Sequence, residues 1–124
     1  MTVIAVDTSV AIPLLLDSHT AHAEVAAWAR GRRLALAGHA VAETYSVLTR
    51  LPGDARVAPA DAARLIDENF EALLQPAPAT SSHVHEQLAT AGLGVGAVYD
   101  GLFALASRDN GAPRASRDAR AGAP

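Results

Sequence analysis

Cysteine is absent from the 124-residue chain, and so is lysine. Without cysteine there is no disulfide framework and no thiolate zinc site. Aromatics make up only 4% of residues, so a core has to be packed from Val, Leu, Ile and Ala. No apolar run approaches the roughly 18 residues of a membrane-spanning helix. The longest, residues 10–16, contains Pro13. The opening stretch MTVIAVDTSV lacks a basic leader, so no secretory signal is expected. A net charge of −3 argues against a protein that coats nucleic acid by bulk electrostatics. These absences predict a cytoplasmic chain with no membrane partner. Its length fits one domain, residues 1–124, large enough for a continuous core.

What is present begins with charge of one kind. All ten basic residues are Arg, whose planar fork suits phosphate, although a GC-rich coding sequence gives the same usage. Residues 3–6, Val-Ile-Ala-Val, form a continuously apolar run ending at Asp7, the pattern of a strand buried on both faces. Thr8 and Ser9 can cap a helix over 10–16. Further helices are expected at 21–30, 39–51, from Pro59 through Phe70 to Leu73 and Leu74, at 83–91 and at 98–110, with Gly31, Pro52-Gly53 and Gly111 as stops. Residues 34–37 read as a second strand and 112–116 as a last one. A third is weakly specified within the Pro-, Ala- and Ser-rich segment 75–82. Strands alternating with helices imply parallel βαβ units. The fold class is therefore α/β, a mainly parallel sheet covered by helices.

In open parallel sheets, sites form beyond the carboxyl ends of the strands. Asp7 lies at the end of the first strand and Asp118 just past the last, while Glu43 and Asp100 lie near the starts of helices. Convergence at one rim would be costly, since carboxylates about 4 Å apart repel by roughly 4 kcal/mol per pair at an effective dielectric near 20. A hard divalent cation shared between their oxygens, Mg²⁺ or Mn²⁺, relieves that repulsion. Such an ion also suits phosphodiester hydrolysis. Each acid has a plainer explanation. Asp7 can cap the first helix, and Asp100 can answer a helix dipole. Glu43 belongs to a polar stripe with His39, Ser46 and Arg50, and Asp118 falls in a polar run typical of a surface turn.

The segments VIAVDTSV, GHAVAETYSVLTRLPG, GLGVGAVYDGLFALA and ASRDARA, in this order across nearly the whole chain, resemble the PIN-domain ribonucleases, in particular VapC toxins. The resemblance implies a three-layer α/β/α fold with a 4–5-stranded sheet. It implies Asp7, Glu43, Asp100 and Asp118 as an acidic quartet for Mg²⁺ or Mn²⁺, supported by the hydroxyls of Thr8 and Ser116. It further implies cleavage of single-stranded RNA, neutralisation by a cognate VapB-like antitoxin, and assembly into homodimers and toxin–antitoxin hetero-oligomers. Arg50 and Arg117 are candidates for contacts to the RNA backbone. Family members usually continue past the last motif through another helix and strand. Here the sequence given stops at Pro124, and Pro113 and Arg114 stand where aliphatics would be expected.

Two other functions compete. Asp7 after an apolar strand suits a phosphatase nucleophile, but phosphotransferases of the haloacid-dehalogenase type want a second Asp where Ser9 stands. A toxin weakened in catalysis would bind antitoxin only. Gly92, Gly94, Gly96 and Ala97 formally match a dinucleotide-binding pattern, but a helix rather than a strand is expected before them. His19, His22, His83 and His85 are expected at the surface rather than on a metal.

Overall fold

The computed structural model describes residues 2–118. Strand β1 (Val3–Val6) leads into helix α1 (Thr8–Leu15) and then α2 (His22–Ala29). Next come β2 (Arg33–Ala37), α3 (Ala40–Thr49), α4 (Pro59–Asn69) and β3 (Ala72–Leu74). Two short helices, α5 (Pro78–Ser81) and α6 (Val84–Thr90), precede α7 (Val98–Asp109) and β4 (Arg114–Ala115). The four strands pair in the order β3-β2-β1-β4, every pairing parallel. Among the described residues no single helix is long and apolar enough to cross a membrane.

Alternation along the central strands separates two apolar layers. Val6, Leu34 and Leu36 join Val10, Val25, Ile66 and Phe70 in one buried cluster, so α1, α2 and α4 cover that face. Ala5 and Ala37 join Phe103 and Ala106 of α7 in the other. The result is three layers, α/β/α. Alanine on the α7 side lets that helix sit close to the sheet. The approach is tightest at Gly38, where a Cβ would lie 3.0 Å from the Phe103 backbone nitrogen. Gly38 also has φ of +65°, a region that penalises any Cβ.

The third strand lies outside the expected segment. Leu73 and Leu74, read as the end of a helix, form β3 instead, and residues 78–81 of the Pro-rich stretch are helical. Helix α4 ends at Asn69 because Phe70 takes an extended conformation, with φ of −121°. Its buried side chain, 4% exposed, joins the first core cluster. Pro76 and Pro78 cannot donate ladder hydrogen bonds, so pairing is confined to the residues before them. At the opposite edge β4 is shorter than the expected 112–116. Pro113 is tolerated there because it serves as an acceptor, its carbonyl receiving the Ala5 N–H at 2.8 Å. The tail beyond Asp118 lies outside the described residues.

Candidate metal and RNA-cleaving site

Three helices begin at the rim formed by the carboxyl ends of the strands. Asp7 caps α1, accepting the Ser9 backbone N–H at 3.1 Å. Glu43 lies in the first turn of α3 and Asp100 in the first turn of α7. The positive ends of helices favour carboxylates by about 0.3–1 kcal/mol each. All three acids, together with Asp118, line one cleft of about 730 Å³. The short β4 delivers Asp118 by parallel pairing with β1.

Hydroxyls hold this corner together. Ser9 Oγ donates to Asp7 Oδ1 at 2.6 Å and Ser116 Oγ to Asp7 Oδ2 at 2.5 Å. The Arg117 N–H donates to Ser9 Oγ at 2.8 Å, and the Asp118 N–H to Ser116 Oγ at 3.0 Å. The two serines thus tie the ends of β1 and β4 to one carboxylate. Ser116 was anticipated from the family resemblance, whereas Ser9 was read only as a helix cap. Thr8, the other anticipated hydroxyl, lines the cleft.

On α3 and just before it, the residues that face the cleft are His39, Ala40, Glu43 and Val47. The expected stripe through Ser46 and Arg50 turns away from it. Arg50 is exposed, donates to Ser46 Oγ at 3.1 Å, and is not among the residues lining the cleft. Arg117 does line it. So does His19, whose Nδ1 accepts the Ala21 N–H at 3.0 Å. His22 donates to the Pro13 carbonyl at 2.8 Å. His83 and His85 are exposed and approach Glu86 at 3.7 and 3.9 Å. No local periodicity signalled a further pair: His39 and Tyr99 stack in the cleft, ring centroids 3.7 Å apart and 15° from parallel.

The acids share a cleft rather than a cage. Among the described residues no three Asp, Glu or His side chains are gathered closely enough to hold an ion between them, so direct shared coordination is not preformed. The donor chemistry nonetheless fits a hard cation, since carboxylates and hydroxyls line the site. Mg²⁺ keeps several waters and commonly takes one or two carboxylates plus a substrate phosphate. A loose oxygen-lined cleft suits that mode.

A PIN-domain family model matches residues 4–123. The chain belongs to the PIN-domain family. The chain is similar to Ribonuclease VapC27 of Mycobacterium tuberculosis, strain ATCC 25618 / H37Rv, at 58% identity over 118 residues, covering 95% of this chain and 86% of that protein. It is 39% identical over 119 residues to Ribonuclease VapC40 of the same species, covering 95% of this chain and 88% of the relative. In this PIN domain the four cleft acids come from distant parts of the chain, between β1 and α1, in α3, in α7 and beyond β4, and only folding brings them to one rim.

Proposed function

We propose that this PIN domain is an endoribonuclease toxin of the VapC type, hydrolysing phosphodiester bonds in single-stranded RNA with Mg²⁺ or Mn²⁺. The observation that carries this reading is the convergence of Asp7, Glu43, Asp100 and Asp118 on one open cleft. The relatives named as ribonucleases support the same reading. Asp7, Glu43 and Asp100 would hold the cation, in part through its own waters because the three are not gathered around one point, and Asp118 would orient water at the phosphate. The Ser9 and Ser116 hydroxyls fix the Asp7 carboxylate, leaving it little freedom to rotate. Arg117, at the mouth of the cleft, meets the RNA backbone. A divalent cation bound there lowers the pKa of water and offsets negative charge on the phosphate in flight.

The partners follow from the same reading: a VapB-like antitoxin that blocks the cleft, and a second copy of the chain in a homodimer, in the cytoplasm. The phosphatase alternative is disfavoured by Asp7 itself. Both of its carboxylate oxygens accept short hydrogen bonds from serine hydroxyls, which lowers the nucleophilicity that a covalent aspartyl intermediate requires.

Cleavage of single-stranded RNA by the purified chain, with Mg²⁺, Mn²⁺ or EDTA, tests the proposal. Activity supported by either cation and abolished by EDTA is expected. RNA left intact under all three conditions refutes the nuclease and leaves the antitoxin-binding module.

A further inference from the structure

We infer that Tyr99, backed by His39, is a stacking platform that takes an unpaired nucleobase and so selects single-stranded RNA. The inference rests on the proposed nuclease reading of the cleft and deepens it.

The two rings come from different elements. His39 immediately precedes α3, one turn before Glu43, and Tyr99 directly precedes Asp100 in the first turn of α7. Their stack, at 3.7 Å and 15°, therefore spans the two helix ends that carry cleft acids. A tyrosine recruited only for packing would be covered. This one has a face against imidazole and still keeps 54% of its surface exposed. The edge of His39 lies near an acid of α3, with Nε2 3.7 Å from Glu43 Oε2. The ring pair is thus backed by protein and open toward the cleft that holds the acids.

Aromatic and imidazole rings receive splayed bases in single-strand recognition because every base offers a π-face. A base within a duplex already has neighbours above and below, and to reach Tyr99 it must first unstack. Placement beside Asp100 puts the accepted base next to the phosphate presented to the acids. The platform recognises a flat ring rather than a base edge, so it filters for strandedness more than for sequence.

Binding of three probes separates this role from a structural one: a 12-nucleotide oligoadenylate bearing one 2-aminopurine, the same strand in a duplex, and a 12-residue abasic ribose-phosphate strand of equal charge. The Asp7→Asn background keeps the RNA intact. The single strand is expected to bind about ten- to a hundredfold more tightly than the abasic strand and to outbind the duplex, with 2-aminopurine fluorescence quenched on binding. Tyr99→Leu removes that advantage and the quenching while leaving abasic-strand affinity unchanged. Tyr99→Phe retains both. Equal affinity for oligoadenylate and abasic strand before any Tyr99 change overturns the platform, as does an undiminished advantage in Tyr99→Leu. Should Tyr99→Leu not fold, the comparison of probes on the Tyr99-bearing protein still decides. Base-dependent binding without Mg²⁺-dependent cleavage by the unmodified chain sinks the nuclease and spares the platform.

Discussion

At the scale of single residues, three of the four acids that line the cleft stand at marked positions, Asp7 directly after an apolar strand and Glu43 and Asp100 in the first turns of helices, while Asp118 lies in a polar run that marks nothing by itself. Ser9 was not readable as a site residue, because its role depends on Ser116, 107 positions away. Replacing Asp7 or Asp100 with Asn is expected to abolish Mg²⁺-dependent RNA cleavage while circular dichroism stays native. Full cleavage by both variants would end the assignment of the acids. Hydrogen bonds to charged groups contribute about 1.5–3 kcal/mol, so Ser116→Ala should slow cleavage by at least tenfold. Turnover rates for Ser116→Ala and Thr8→Ala, measured side by side, check that the loss is the larger at Ser116. Thr44 makes the opposite case. Its side chain is fully buried, and its hydroxyl makes no hydrogen bond among the described residues. Thr44→Val preserves the shape and removes a desolvated polar group, so denaturant midpoints should show stability unchanged or raised by about 1 kcal/mol.

Elements were legible where periodicity was strong and illegible where short pieces compete. Helices α3 and α7 lie within a residue or two of their expected bounds. The segment around β3 was misread because Phe70, Leu73 and Leu74 continue a helical spacing that the extended backbone at Phe70 breaks. Such short strands are fixed by their neighbours, here by pairing with β2. The junctions carry testable energetics. Gly38→Ala places a methyl against the α7 backbone at an unfavourable φ, and should lower stability by about 1–3 kcal/mol in equilibrium unfolding. At the far end of α7, Asp109 accepts the Ala77 N–H at 2.9 Å, just before α5, and is also bonded by Arg108. Hydrogen bonds from Thr80, Ala77 and Arg108 lower its pKa from 3.8 to about 2. A carboxylate depressed on folding contributes stability above its unfolded pKa and loses it as pH falls through the folded value. The α5–α7 tie therefore weakens between pH 3.8 and about 2. Denaturation midpoints across that window should fall less steeply in Asp109→Asn than in the unmodified chain.

Over the whole molecule, the cleft turns four local choices into one long-range constraint. Asp7 and Asp118 stand at opposite ends of the described chain, and Glu43 and Asp100 between them, yet all four line one space. Sequence pattern gave the fold class and the rim. It could not give how tightly the acids gather, because that depends on how three helix starts and a two-residue edge strand settle together. A cation that binds the folded cleft and not the unfolded chain stabilises the fold. For ligand at a hundred times its dissociation constant the gain is about 2.7 kcal/mol, several degrees in melting temperature for a chain of this size. Adding Mg²⁺ or Mn²⁺ to EDTA-treated protein should therefore raise the melting temperature without any RNA present. Asp100→Asn should respond less to the cation. A melting temperature indifferent to both ions in the unmodified chain would show that the acids hold no cation before RNA arrives. The substrate phosphate would then have to supply the missing ligands.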